Sequence, residues 1–154
     1  MSNFLTVVEC DAMELFTEID INATSDRVWE VLIDFALYPE WNPFVRRLDG
    51  AFVVGERVRA VLQPPNQKGM IFKPRVTKIV PRRELRWLGS LGFRGLFDGE
   101  HIFEIRSPSP HMVHFVQREI FKGILAPVIL KNVTRNTRAG FEQMNQALKE
   151  RCEE

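Results

Sequence analysis

Apolar and acidic positions alternate along residues 14–23 (ELFTEIDINA). Leu15, Ile19 and Ile21 would point to one side of an extended segment, and the acidic residues between them to the other. A period of two is typical of a strand with one buried face. The segment therefore predicts a half-buried first strand.

The next segment changes to a helical period. In TSDRVWEVLIDF, the side chains of Val28, Val31, Leu32 and Phe35 form a stripe with the spacing i, i+3, i+4, i+7. YPEWNP, residues 38–43, follows, and its two prolines disfavour helical backbone at the residues before them. We expect an amphipathic helix that ends near this segment, followed by a short second helical turn.

Residues 44–121 carry the pattern of successive strands. Runs rich in Val, Ile, Leu and Phe alternate with short turn clusters such as PPNQKG, VPRRE and SPSPH. Since no helix-length periodic segment interrupts them, we expect no crossover connections and an antiparallel sheet. Pro74 has no amide proton for a central ladder and predicts a sheet edge or a bulge.

A long amphipathic helix is predicted over residues 127–150. Pro127 suits its first turn, and Gly140 on its apolar flank would allow the close approach of another element. The apolar side consists of residues three or four apart: Leu130, Val133, Thr137, Phe141, Met144 and Leu148. The order along the chain is thus strand, short helices, a run of strands and one long helix, which predicts an α+β fold.

Composition narrows the class of protein. The chain has 154 residues, of which 45% are hydrophobic and 27% charged, and a net charge of +1. These values are typical of one globular domain, here residues 1–154, and the balanced charge gives no reason to expect a nucleic-acid partner. Cys10 and Cys152 are expected to be reduced thiols. The sequence shows neither a basic leader nor an apolar run of membrane-spanning length, so we expect a cytoplasmic protein without stable membrane insertion.

Several segments resemble the SRPBCC superfamily, which comprises START-like and polyketide cyclase/dehydrase-like domains. They are DRVWEVLIDFALYPEWNPFV, FKPRVTKIVPRRELRWLG, GLFDGEHIFEI, REIFKGILAPVI and the final helix, in this order, over about residues 12–150. The resemblance implies a helix-grip fold. In that fold a curved antiparallel sheet of about seven strands wraps around the long C-terminal helix, two short helices follow strand 1, and an apolar cavity lies between sheet and helix. YPEWNP would then lie near one rim of the cavity, with Trp41 as a partly buried structural plug.

A hairpin of two strands is expected to supply the cavity wall. DGEHIFEI and HMVHFVQREIF flank SPSP, and favourable charge pairs would place Glu100 opposite Arg118 and Glu104 opposite His114. The other face would then carry a largely apolar set: His101, Phe103, Ile105, Val113, Phe115, Gln117 and Glu119. Further candidate ligand contacts are Trp87, Phe93 and Phe141.

The residues expected on this wall predict a mostly apolar pocket with one polar spot, which consists of His101, Gln117 and Glu119. A buried Glu119 should either pair with His101 or have a raised pKa. We expect neither metal nor cofactor. His114 lies on the opposite strand face, so it cannot complete a metal site, and the sequence has no phosphate-binding loop, CxxC pair or nucleophile elbow.

Three functions stay open from the sequence. The first is the binding of a small hydrophobic molecule, such as a lipid, a polyketide-like or an aromatic compound, with His101 and Glu119 as anchors. The second is an enzyme of the cyclase/dehydrase kind, in which His101 and Glu119 form a general base. The third is a protein-interaction module of the cochaperone kind. Apolar loops 89–99 and 121–130 would be either a gate over the cavity or a protein-binding surface. The ligand and the oligomeric state are not defined by the sequence.

Overall fold

The computed structural model describes residues 5–9 and 12–154, so Cys10 lies outside the described residues. The described residues form nine strands, where about seven were expected, and the order of strands, short helices, a run of strands and one long helix is the predicted one. The strands are β1 (Leu5–Glu9), β2 (Ala12–Ile21), β3 (Val45–Asp49), β4 (Arg59–Leu62), β5 (Met70–Phe72), β6 (Arg75–Val80), β7 (Glu84–Ser90), β8 (Asp98–Ser109) and β9 (Met112–Lys122). The helices are α1 (Ser25–Ile33), α2 (Tyr38–Trp41) and α3 (Ala126–Glu153), with a 3₁₀ turn at Phe35–Leu37.

The strands form a curved antiparallel arrangement around α3, which confirms the predicted helix-grip architecture. Six strands pair in the order β1-β2-β9-β8-β7-β6, and the remaining three in the order β3-β4-β5. Backbone hydrogen bonds join the two sheets, from Val58 N–H to Pro74 O at 2.9 Å and from Val76 N–H to Glu56 O at 2.9 Å. Pro74 lies in the break between β5 and β6 and thus outside any ladder, as its missing amide proton requires.

The long helix α3 buries its apolar stripe against the sheet and α1. Phe141, Met144 and Leu148 are fully buried. Gly140 permits the close approach that its position on the apolar flank predicts, because a Cβ there would overlap the ring of Phe44. No helix in the described part of the chain is long and apolar enough to cross a membrane.

The segment YPEWNP folds back the chain between α1 and β3. Tyr38 is fully buried, and its hydroxyl donates to Leu32 O at 2.5 Å. Trp41 is half-buried and packs edge-on against Tyr38, with ring centroids 5.1 Å apart. The buried Asn42 accepts the backbone N–H groups of Phe44 and Val45 through Oδ1, at 3.0 and 2.8 Å. The segment is therefore a packed corner, and Asn42 aligns the first residues of β3.

The register predicted for the β8–β9 hairpin was wrong by two residues. His101 lies opposite Glu119, Phe103 opposite Gln117 and Ile105 opposite Phe115. The strands extend through most of SPSP to the pair Ser109–Met112, and the ladder is irregular between Arg106 and Ser109. Because side chains alternate with a period of two, this shift leaves every residue on its predicted face.

The charge pairs that the sequence suggested do not form. Arg118 binds Glu104 at 2.7 Å and Glu14 of β2 at 2.9 Å. His114 lies between Asp20 and Glu18 of β2, at 2.7 and 2.8 Å. Surface pairs contribute roughly 0.2–1 kcal/mol each, which is too little to decide a register against the geometry of the turn.

Candidate functional site

The concave face of the sheet carries the predicted wall residues. Val113, Phe115 and Gln117 of β9 and Phe103 of β8 are fully buried. The same surface includes three more buried side chains and one that is half-buried: His101, Ile105, Trp87 and Glu119. Phe141 of α3 covers them, whereas Phe93 is separate, because it is 66% exposed in the loop between β7 and β8.

His101 is enclosed by aromatic rings. Its imidazole stacks on Phe103 and on Phe141, with centroids 4.4 and 4.7 Å away, and meets the edge of Trp87 at 5.3 Å. Burial lowers the pKa of His101 to about 3, because the charged imidazolium loses its hydration. The ring is therefore neutral at physiological pH and forms part of the wall.

A chain of hydrogen bonds satisfies the buried polar groups near His101. Gln117 Nε2 donates to Asn145 Oδ1 at 2.6 Å and to Phe141 O at 3.3 Å. Its Oε1 therefore faces His101 Nε2, 3.0 Å away, and that nitrogen must carry the proton. Asn145 Nδ2 donates to Thr17 Oγ1 at 3.0 Å, and the Thr17 hydroxyl donates to Gln117 O at 2.7 Å. The network joins β2, β8, β9 and α3.

Thr17 and Asn145 are members of this network that the sequence analysis did not select. Thr17 shares the inward face of β2 with Leu15 and Ile19, and Asn145 directly follows the buried Met144 on α3. The sequence did indicate one polar residue on the inward side of β2 and one on the inward side of α3. Their pairing depends on how α3 lies across the sheet, which periodicity does not show.

Glu119 is the one predicted polar residue that lacks a partner. It lies opposite His101 in the ladder, yet its carboxyl group makes no hydrogen bond or ion pair with any described residue. The carboxyl group instead lies over Gly99, where a Cβ would overlap Oε1. Burial raises the pKa of Glu119 to about 8, since nothing nearby compensates the lost hydration of the anion. The proposed acid–base pair of His101 and Glu119 is therefore not assembled by direct contact.

The cover over the concave face is uneven along α3. Its C-terminal half closes the face with fully buried side chains. In its N-terminal half, Ala126 and Leu130 are buried, but Val133, Thr134 and Thr137 are only half-buried. Glu119 lies toward this end, because β9 runs into α3 through a short connection. Gly99 is half-buried as well. The sheet and the N-terminal half of α3 thus leave the Glu119 end more accessible.

Two loops border this end, residues 91–97 and 123–125, here called the rim loops. Ile124 N–H donates to Gly95 O at 3.2 Å and Leu125 N–H to Leu96 O at 3.0 Å. Although their backbones are joined, the loops leave apolar side chains in solvent: Leu91, Phe93 and Ile124 are 49%, 66% and 76% exposed. The rim loops therefore form one unit with an apolar outer surface.

Comparisons with known proteins agree with this architecture. The family model described as polyketide cyclase / dehydrase and lipid transport matches residues 13–153. The Zhui aromatase/cyclase from Streptomyces sp. R1128 is 13% identical, with 92% of this chain and 94% of that chain covered and a TM-score of 0.74. A START superfamily protein from Mycobacterium smegmatis is 17% identical, with 91% and 97% covered and a TM-score of 0.70.

A norcoclaurine synthase of Thalictrum flavum, solved as a point mutant with a transition-state analogue, is 14% identical. The match covers 95% of this chain and 97% of that chain, with a TM-score of 0.70. At these identities the three structures show the fold alone. A search of curated proteins by sequence gave no significant match.

Proposed function

Because the chain belongs to the polyketide cyclase/dehydrase and lipid transport family, we propose that it binds a small hydrophobic molecule with one polar group. The ligand's apolar body would lie between the concave face and the N-terminal half of α3. Its polar group would contact Glu119. A hydroxyl-bearing aromatic or polyketide-like compound fits this description best.

The observation that carries the proposal is the unpartnered carboxyl group of Glu119 on an otherwise apolar wall. Glu119 is half-buried beside apolar side chains, and its oxygens bind no described residue, so they are free to meet the polar group of a ligand. Glu119 could accept from a ligand hydroxyl when ionised and donate to a carbonyl when protonated. The surrounding rings would supply most of the binding free energy, since roughly 25 cal/mol is gained per Å² of apolar surface buried.

His101 has a different place in this proposal from the one that the sequence suggested. Its Nε2 proton is already bound by Gln117, and both faces of its ring are covered by Phe103 and Phe141. We assign it to the wall of the site, where it keeps Gln117 in place. Glu119 is then the anchoring residue.

A second function is favoured by one observation, the pKa of Glu119 at about 8. A carboxyl group that exchanges its proton near neutral pH suits general acid–base chemistry. Glu119 could remove a proton from a carbon between two carbonyl groups of a bound ligand and return it to an oxygen. Such an enzyme would use Glu119 alone, without His101.

Binding can be tested with the neutral fluorescent probe N-phenyl-1-naphthylamine. The wild type should bind it saturably with a blue-shifted emission. Val133→Trp should abolish binding, because a large indole at this half-buried position would occupy the place proposed for the ligand. Lys131→Trp places the same side chain on the exposed face of α3 and serves as the control. Equal binding by both variants would contradict the proposed location.

The role of Glu119 can be separated from the role of the apolar wall. Native mass spectrometry should show whether a small molecule co-purifies with the wild type and is lost from Glu119→Gln. Gly99→Ala should have a similar effect, because a Cβ would displace the carboxyl group without removing it. If a β-diketone analogue is converted by the wild type and only bound by Glu119→Gln, the protein is an enzyme. If both proteins bind it unchanged, it is a binding protein.

A further inference from the structure

A second concavity lies outside the concave site, where β6 and β7 meet the loop that follows β7. Val76 of β6 and Trp87 of β7 are buried on the concave side, whereas the neighbouring Leu88 and Thr77 line this outer pocket. Its volume is about 420 Å³, and its lining consists of Arg57, Arg75, Thr77, Leu88, Ser90, Gly92 and Arg94. The pocket is therefore independent of the function proposed for the concave site.

Three arginines meet in this outer pocket without a carboxylate among its lining residues. Arg57 Nη1 donates to Lys73 O at 2.9 Å, and Arg75 donates to Gly55 O. These bonds orient two guanidinium groups and leave most of their N–H groups free. Arg94 makes no hydrogen bond or ion pair with a described residue, and none of the three lies within 4.0 Å of a described carboxylate oxygen.

The nearby acidic groups in the described part of the chain form no ion pair with the three arginines. The carboxylate of Asp98 accepts from the Ser90 hydroxyl at 2.7 Å and from Gly95 N–H at 3.0 Å. Glu56 precedes Arg57 on an exposed turn and forms no ion pair with it. By contrast, Arg86 further along β7 binds Glu100 at 2.9 Å.

The outer pocket thus differs from the neighbouring sheet surface at Arg86 and Arg118, whose guanidinium groups bind carboxylates. Like charges held close together repel one another, and an anion would relieve that repulsion. A guanidinium group presents a planar set of donors that matches the oxygens of phosphate in pairs. The hydroxyl of Thr77 adds a further donor to the lining.

We propose that the outer pocket binds a phosphate-class oxyanion through Arg57, Arg75 and Arg94. Its volume lies in the range of small-molecule sites, roughly 300–1,000 Å³, so it could hold a phosphorylated small molecule. The same chemistry occurs in the headgroup of an anionic lipid. The exposed Leu91 and Phe93 stand on the loop that carries Arg94 and would contact the bilayer in that case.

The test compares two double variants that remove the same charge. Arg57→Gln with Arg94→Gln alters the pocket, and Arg82→Gln with Arg83→Gln alters the turn at the opposite end of β6 and β7. Binding is measured by calorimetry with inorganic pyrophosphate, and by sedimentation with phosphatidylcholine vesicles with and without phosphatidic acid. Arg94→Gln alone is the second variant, because Arg94 has no structural bond to lose and the fold should be unaffected.

We expect each pocket arginine that is lost to weaken pyrophosphate binding roughly tenfold, and the turn variant to bind almost as the wild type does. This result would support an anion site for a soluble ligand. Binding only to vesicles that contain phosphatidic acid, with the same dependence on the pocket, would support it with a lipid source. The proposal would be overturned if neither probe bound, or if the two double variants weakened binding equally. The probe of the concave site, N-phenyl-1-naphthylamine, should bind all of these variants alike.

Discussion

At the residue scale, Gln117 determines how the buried polar groups are satisfied. Its side chain is fully buried and bonds His101 on one side and Asn145 on the other. Gln117→Leu would leave an imidazole N–H and an amide oxygen without partners, so the free energy of unfolding should fall by about 2–4 kcal/mol. Urea unfolding measures this. The matched change Gln143→Leu on the exposed face of α3 should stay within about 0.5 kcal/mol, and similar values for both variants would contradict the network.

Glu119 should make stability depend on pH. Its pKa is about 8 in the folded chain against an ordinary value of 4.5, so between these values the folded state holds a proton that the unfolded state has lost. The unfolded state then binds fewer protons, and the free energy of unfolding falls as pH rises from about 4.5 to 8. Glu119→Gln should remove this slope.

Unfolding curves of the wild type and of Glu119→Gln are recorded from acidic pH to pH 9. The difference between their free energies of unfolding gives the contribution of Glu119 at each pH. The variant should gain stability over the wild type as pH rises and reach a constant advantage above pH 8. A difference that does not change with pH would show that the carboxyl group is solvated in the folded chain.

At the element scale, the contact between α3 and the start of β3 depends on one glycine. An alanine in a helix interior is favoured over glycine by roughly 1 kcal/mol, so Gly140→Ala would stabilise a helix free of contacts. Here the added methyl group would overlap the ring of the buried Phe44, and overpacking costs about 1–3 kcal/mol. We expect Gly140→Ala to lower the midpoint of urea unfolding.

A second substitution, Phe44→Leu, tests whether the ring of Phe44 causes the loss of stability in Gly140→Ala. In the Phe44→Leu background, Gly140→Ala should be less harmful than in the wild type, because the ring that it meets is gone. An equal loss in both backgrounds would place the cost elsewhere in α3.

The elements also show what the sequence could reveal and what it could not. Alternation placed Phe103, Phe115 and Gln117 on the concave face correctly, because a period of two survives a shift of two residues. The register itself was predicted wrongly, because it was inferred from weak charge pairs. The turn at residues 110–111, which fixes the register, has no strong sequence motif. The hydrogen bond between Gln117 and Asn145 was also invisible, because it depends on the crossing of α3 over β9.

At the scale of the whole molecule, the concave site and the outer pocket meet at the same loop. Gly92 and Arg94 line the outer pocket, while Leu96 of the same loop accepts the backbone bond from Leu125 next to α3. The two sites therefore share one loop, while their lining residues are separate.

Hydrogen exchange can establish whether the rim loops move as one unit. The N–H groups of Ile124 and Leu125 are bound to carbonyl groups of Gly95 and Leu96, so they can exchange only when the loops separate. We expect both rim loops to exchange faster than the amides of the paired strands β8 and β9. Both should slow together when N-phenyl-1-naphthylamine binds.

Val133→Trp, whose indole is expected to occupy the ligand's place, provides the control for this measurement. In that variant the probe should leave the exchange of the rim loops unchanged. If the probe slowed exchange in the wild type at residues 91–97 and not at 123–125, the two loops would move separately, and only the first would respond to the probe. If the rim loops exchanged as slowly as β8 without any ligand, they would be fixed packing, and the ligand would have to enter elsewhere.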